Sequence, residues 1–348
     1  MYKVLIRPVL FLLKPEAIHH LLLSFLRIAF RIPGVKYLVS RIYSLENPLL
    51  ETEFAGIRFR NPVGLAAGFD KNATAFRDFM AFGFGSIEIG TVTPLGQPGN
   101  SRPRSFRLPA DRALINRMGF NNEGLAAAVE HLSGKRPKTL VIGGNIGKNT
   151  LTLNEHAPDD YLANFKALYD VVDYFVVNVS CPNVSDLRKL ADQEALEQIL
   201  SVIVAERALH AIRKPVLLKI SPDLNFNQID ETLEIVEKLG IDGIVATNTT
   251  VSRSGLKTDP ERVGKIGNGG LSGAPLTRRS LEIVRYISSK TGGKLPIIGV
   301  GGIMSAGDAL KMTEAGASLV QVYTGFIYEG PGIVRKINKA ILQQRMGK

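Results

Sequence analysis

Residues 215–250 read PVLLKISPDLNFNQIDETLEIVEKLGIDGIVATNTT. Pro215–Ile220 is a short apolar run, residues 226–239 read as a helix, and Gly243–Thr247 is a second short apolar run. Short, almost wholly apolar strands flanking a helix are what parallel strands buried on both faces look like. Outward from this unit the alternation continues in both directions. Strands are predicted at 63–66, 86–89, 139–146, 174–179, 215–220, 243–247, 296–300 and 318–322. Helices are predicted near 73–81, 121–131, 158–171, 193–213, 226–239, 276–290, 305–315 and 331–344, after a short hairpin at 54–60. Eight βα units predict an α/β chain folded as a (β/α)8 TIM barrel. A doubly wound open sheet is the alternative, since strand order is not written in a sequence. No GxGxxG follows the first strand, which counts against a dinucleotide fold.

The chain has 348 residues, 45% of them hydrophobic, enough for one large core. Its 34 glycines and 18 prolines follow no G-X-Y period, which excludes a collagen-like chain. A single cysteine, Cys181, excludes an internal disulfide and a Cys-rich metal site, and favours a reducing compartment. The five histidines show no ligand spacing, so no metal is expected. A net charge of +11 suits either nucleic acid or anionic lipid. There is no Trp and no RNP or zinc-finger pattern, so no nucleic-acid partner is expected.

Much of the charge lies at the start, where residues 1–50 carry seven Lys/Arg against two acids. The apolar run Val9–Leu13 is stopped by Lys14-Pro15 and is too short for a signal peptide. Residues 16–32 contain His19, His20, Arg27 and Arg31 and are too short and too charged to span a membrane. They read as a helix, with Pro15 at its first position and Pro33 as its stop. Ile18, Leu21, Leu22, Phe25, Ile28, Ala29 and Ile32 form one broad apolar face. A second short helix is expected at Val35–Tyr43. Two readings of this basic hairpin stand: its apolar face packs on the rest of the protein, or it lies in a membrane surface. The expected division is residues 1–50 as a hairpin element and 51–348 as the barrel.

In such a barrel the chemistry sits at the C-terminal strand ends. The first strand ends Ala66-Ala67-Gly68-Phe69-Asp70-Lys71, small residues followed by a positive charge. After the second strand and a long loop over 95–115 come Asn116-Arg117-Met118-Gly119-Phe120-Asn121-Asn122. Asn145, Asn178 and Asn248 stand at further strand ends. One asparagine at a barrel mouth is usually structural, but a series of them implies a polar, amide-like ligand. Lys219 lies inside a buried strand, where a lysine needs either a neighbouring acid or a role at the site. Glycine turns at Gly299–Ile303 and Tyr323–Gly325 mark the phosphate site of this barrel, with Gly269–Gly273 adding a third cluster. Cys181 follows the fourth strand between Asn178 and Asn183, as either a small turn residue or a base beside the ligand.

The pieces GLAAGFDKN (64–72), EIGTVTP (88–94), NRMGFNN (116–122), NIGKN (145–149), VNVSCPN (177–183) and LLKISPDL (217–224) resemble the dihydroorotate dehydrogenases. So do ATNTT (246–250), GGLSG (269–273), IIGVGGI (297–303) and QVYTGF (321–326). Their order and spacing cover essentially all of 61–330. The N-terminal hairpin and the 91–115 loop are similar to the membrane-associated, quinone-using class. The resemblance implies oxidation of dihydroorotate to orotate in pyrimidine synthesis, with one FMN per chain. It implies FMN contacts from Ala67, Gly68, Phe69, Asp70, Lys71, Thr91, Asn145, Asn178 and Lys219. Thr247, Gly273, Gly302, Tyr323 and Thr324 complete that set, with the glycines and Thr324 at the phosphate and Lys219 by the ring. It implies substrate contacts from Lys71, Asn116, Arg117, Met118, Gly119, Phe120, Asn178, Asn183, Asn248 and Thr249.

The residue at the catalytic base position is Cys181, where the quinone class usually has serine. Cysteine there is the habit of the soluble class, which uses fumarate or NAD and lacks the hairpin. The fifty-residue frame carries more weight than that one atom, and the soluble class remains the alternative. A phosphate-binding barrel isomerase or lyase and a non-catalytic basic barrel are the readings outside this family. A monomer, peripheral on the cytoplasmic face of the inner membrane and partnered by a membrane quinone, is expected.

Overall fold

The computed structural model describes residues 2–137, 139–179 and 192–347. Eight short strands, Val63–Leu65, Ser86–Val92, Val141–Ile146, Tyr174–Asn178, Val216–Ile220, Gly243–Ala246, Ile297–Val300 and Leu319–Val322, form a closed barrel. Every residue in them is buried. Neighbouring strands run parallel, and the eighth returns to the first with Val320 opposite Val63. That closure excludes the open sheet. The eight expected strands are these eight, each within a few residues of its predicted ends.

The two-residue strand period divides the buried side chains into two cores. Val63, Leu65, Ile87, Ile89, Phe175, Val177 and Ile244 face the surrounding helices. Val176, Leu217, Val245, Ile298 and Leu319 fill the interior. Phe54 and Phe59 join them from the antiparallel hairpin Thr52–Phe54/Ile57–Phe59, and the Phe59 ring lies 6.3 Å from that of Tyr174. The hairpin therefore plugs the end of the barrel where the strands begin. Phe59→Ala would leave a cavity there and cost about 3–5 kcal/mol.

The outer helices show why these residues form them. Phe226–Lys238 starts with a capping box, since Asn225 accepts from the Gln228 N–H at 2.9 Å and Gln228 accepts from the Asn225 N–H at 3.0 Å. It then buries Ile229, Thr232, Ile235 and Val236, one face at three-and-four spacing. Ala157–Leu168 buries Tyr161, Asn164, Phe165 and Leu168 in the same way.

The segment 95–115, read as a loop, contains three strands. Ala113–Asn116 pairs on one side with Ser105–Leu108 and on the other with Gly270–Gly273, and Leu95–Gln97 pairs with Asn122–Gly124. These strands are three or four residues long, too short to show a period, and one partner lies over 150 residues away. The short helices Pro260–Ile266 and Thr324–Glu329 escaped the sequence reading for the same reason.

The hairpin helices are Pro15–Ala29 and Val35–Tyr43. A further helix, Arg7–Leu12, precedes them, extended by a wide turn at Tyr2–Ile6. Tyr2 Oη donates to the Ile327 carbonyl at 2.7 Å, Arg7 donates to that of Tyr328, and Lys3 pairs with Glu329. On the other flank Arg335 donates to the Ile42 carbonyl and Arg345 to those of Leu49 and Glu51. Of the two readings of the predicted apolar face, packing on the rest of the protein is the one the structure does not bear out. Leu23, Leu26 and Phe30 pack on the core, whereas Leu21, Leu22, Phe25, Ile28 and Ile32 are exposed. Of the predicted face only Ile18 is fully buried in the helix. The long helix is thus apolar on two sides, and its broader side faces out. Among the described residues no single helix is long and apolar enough to cross a membrane. Tyr2–Leu12 and Pro15–Ala29 pass that test only as a pair bent by 117°.

Candidate active site

A cavity opens at the C-terminal ends of the barrel strands, with about 1010 Å³ of space free of protein atoms, its mouth included. Its floor is polar. Lys219 Nζ stands 3.6 Å from Oε1 of Glu88, a residue with no exposed surface. Asn145 Nδ2 donates to Glu88 Oε1 at 2.8 Å, and Gln321 Nε2 donates to Glu88 Oε2 at 2.6 Å. Lys219 and Gln321 line the cavity. Gln321 Oε1 is buried without a hydrogen-bond partner among the described residues. The two readings of Lys219 hold together: it is paired with an acid and it faces the site.

Above the floor runs a chain of amides and hydroxyls. Thr91 Oγ1 donates to Asn145 Oδ1 at 2.6 Å. Asn178 Nδ2 donates to Thr91 Oγ1 at 3.0 Å, and Asn248 Nδ2 donates to Asn178 Oδ1 at 3.2 Å. Thr249 N–H donates to Asn248 Oδ1 at 2.8 Å, fixing that side chain. Thr247 Oγ1 lies 3.0 Å from Ser280 Oγ. Such linked bonds hold each amide in one orientation, so the remaining edges are presented to the cavity ready-set.

The glycine turns form one wall. Gly302 has φ +73°, and a Cβ there would stand 2.2 Å from Thr277 Cα. Gly273 has φ +101°, and its Cβ would stand 2.4 Å from the Arg112 carbonyl oxygen. Both positions need glycine in conformation and in space, which brings the backbone up to the cavity. Thr324, also in the lining, lies with its Oγ1 2.8 Å from Ser272 Oγ. Tyr323 lines the same wall, and burial pushes its phenol up to about 12.

The structure brings together most of the residues singled out in the sequence. Ala67, Gly68 and Lys71 line the cavity, as do Asn116, Met118, Gly119 and Phe120. So do Thr91, Asn178, Lys219, Thr247, Asn248, Thr249, Gly273, Gly302, Tyr323 and Thr324. Lys71 Nζ bonds Asn121 Oδ1. Four expected contacts stand outside the lining. Asp70 is buried as a cap, accepting from the Thr74 and Ala75 N–H groups at 2.9 Å each, and burial raises its pKa. Arg117 turns away to the carbonyls of Pro103 and Ile266 and lies over the Phe106 ring. Asn145 is wholly buried in a second layer behind Thr91 and Asn178. Phe69 packs among Phe79, Tyr323, Phe326 and the hairpin's His19. Cys181 and Asn183 lie outside the described residues.

Sequence reading missed Glu88, Gln321 and Ser272. Glu88 was legible in principle, because a carboxylate inside the run Ser86-Ile87-Glu88-Ile89 must alternate into one of the two cores. It also missed His19, whose pKa is lowered to about 4, first by burial and then by the charges of His20 and Lys71.

Residues 49–346 match the family model described as Dihydroorotate dehydrogenase. A dihydroorotate dehydrogenase (quinone) of Christiangramia forsetii is 52% identical over 344 residues, 99% of each chain. One of Nocardia farcinica is 48% identical over 343 residues, 99% of this chain and 92% of that one. The crystal structure of the Eimeria tenella enzyme in complex with ferulenol superposes with a TM-score of 0.82 at 34% identity, covering 96% of this chain and 92% of that one. The ligand-free form superposes at 0.80 and 36% identity, covering 88% and 93%. With a barrel closed around this cavity and a match that spans nearly its whole length, the chain belongs to the dihydroorotate dehydrogenase family.

Proposed function

We propose that this protein oxidises (S)-dihydroorotate to orotate at an FMN held in the cavity and passes the electrons to a membrane quinone, a step of pyrimidine (UMP) synthesis. The family is one of flavoenzymes. The observation that carries the reading is the composition of one cavity: a glycine wall, a charged floor at Lys219 and an amide-lined rim beside Lys71. These residues fit FMN. Gly273 and Gly302 line the cavity at positions that admit no side chain, so they present bare backbone to it, as a phosphate site requires, with Thr324 beside them. Gln321 and Lys219 present an amide and an ammonium at the cavity floor, which suit the polar edge of a flavin ring. When bound, FMN supplies the two-electron acceptor that takes hydride from ring carbon 6 of the substrate.

The chain's own residues do the rest. Lys71 suits the substrate carboxylate, while Asn116, Asn178, Asn183, Asn248 and Thr249 suit its ring amides. Cys181 takes the proton from ring carbon 5, so the substrate leaves two electrons and two protons poorer. The quinone becomes a quinol. The exposed face Leu21, Leu22, Phe25, Ile28 and Ile32 of a basic hairpin supports a peripheral seat on a lipid surface; we put that seat on the inner membrane's cytoplasmic face, with the protein as a monomer.

Anaerobic titration tests this. Purified protein is expected to show a flavin absorption band, to bleach with dihydroorotate, and to regain its colour with a quinone but not with fumarate or NAD. A colourless protein, or a yellow one that dihydroorotate does not bleach, overturns the proposal. Reoxidation by fumarate or NAD alone would replace the quinone with a soluble acceptor, the reading that Cys181 favours.

A further inference from the structure

We infer that Glu88 is a positioning residue for the reaction: it holds the Lys219 ammonium under the flavin and sets the flavin's reduction potential by balancing that charge. The inference rests on the reading that FMN occupies the cavity. Glu88 lies on the second barrel strand and does not line the cavity, so it acts through its partners. Those partners come from three other strands: Lys219 on the fifth, Asn145 on the third and Gln321 on the eighth. Two of the three line the cavity. The third, Asn145, carries Thr91 and Asn178, which also line it. One carboxylate thus sits beneath the side chains that form the floor.

A purely structural role accounts poorly for this choice. A buried ion pair loses hydration on both partners, and an apolar pair of similar volume is often as stable or more so. The other half of the interior is built that way, from Val176, Leu217, Val245 and Ile298. What the pair does that an apolar pair does not is place a fixed ammonium at the floor with a nearby negative charge to set its strength. Lys219 alone would favour the reduced, anionic ring strongly. Glu88 at 3.6 Å offsets part of that field. The flavin is then held at a potential where it can both accept from dihydroorotate and give to a quinone.

The test is the midpoint potential of the bound flavin, read by equilibration with a reference dye in the holoenzymes. Glu88→Gln keeps the shape and an acceptor but drops the charge. It should raise the potential, making the reduced form at least tenfold more favoured, about 30 mV for a two-electron couple. Lys219→Met should lower it. The double variant, which removes the pair together, should return toward the wild-type value. An unmoved potential in Glu88→Gln, or single variants that shift the same way, overturns the inference. If Glu88→Gln does not fold, Glu88→Asp decides. It keeps the charge but draws it back from Lys219 by one methylene, so the potential should rise by less than in Glu88→Gln, and a folded, yellow Glu88→Asp with an unmoved potential makes Glu88 an architectural residue only. A wild-type protein without flavin fails the underlying reading instead, whereas a yellow wild type with an indifferent Glu88 fails this inference alone.

Discussion

The His19 ring meets the Phe69 ring edge-on, with centroids 5.0 Å apart, joining the N-terminal hairpin to the strand end that carries Lys71. Phe69 in turn touches Tyr323 at 5.2 Å and Phe326 at 5.5 Å. One aromatic cluster therefore connects the hairpin to the cavity wall.

That contact predicts an acid-sensitive hairpin. His19 has a pKa of about 4 in the folded state against an ordinary 6.5, so the folded protein binds fewer protons between those values. The packing of a neutral His19 is fully favourable above about 6.5 and weakens as pH falls toward 4. Amide exchange across residues 15–29, corrected for intrinsic rates, should lose protection between pH 7.5 and pH 5. His19→Phe should flatten the profile. Equal protection in the wild type at both values contradicts the assignment.

Gly302→Ala should cost the protein its cofactor. The φ of +73° strains any L side chain by about 1 kcal/mol, and the new Cβ would strike the Thr277 backbone. The purified variant should fold, by circular dichroism, and retain less than a tenth of the wild-type flavin. Full retention would place the phosphate elsewhere.

Cys181→Ala should slow flavin reduction by dihydroorotate about 10²–10⁴-fold, the usual loss for a general base, with flavin still bound. A thiol with an ordinary pKa of about 8.5 is mostly protonated at neutral pH, so the wild-type rate should rise with pH until the thiol has titrated. Cys181→Ser should keep some activity with that profile displaced upward. Stopped-flow reduction between pH 6 and pH 9 measures all three, and a wild-type rate in Cys181→Ala returns the residue to a turn.

Phe25→Glu with Ile28→Glu alters only the outward face of the long helix, leaving Leu23, Leu26 and Phe30 in place. Dihydroorotate should still bleach the flavin at the wild-type rate. Cosedimentation with anionic vesicles, and turnover with a long-chain quinone in them, should fall at least tenfold. Unchanged cosedimentation would mean that this face is not the one that meets lipid.

The barrel was legible because its strands are nearly all apolar and its helices carry a clear period. Lys219 stood out as the one charge in an otherwise apolar run. Glu88 hid because its neighbours Ser86 and Gly90 made its strand look mixed rather than violated. Arg117 was placed in the site by its position in NRMGFNN, but just past the strand that ends at Asn116 a side chain's direction is set by tertiary partners, here the Ile266 and Pro103 carbonyls. The long helix left its two readings open for a different reason. A helix with two apolar stripes gives one strong period, and the period does not say which stripe finds the barrel and which is left facing out.

The stitching of the hairpin to the far end of the chain bears on how the protein is made. Residues 1–50 leave the ribosome first, yet they are held by Ile327, Tyr328, Glu329, Arg335 and Arg345, which leave last. At about 5–20 residues per second the hairpin waits roughly 15–60 s for its seat. During that interval both of its apolar stripes lack a protein partner, and a lipid surface is within reach before the barrel exists.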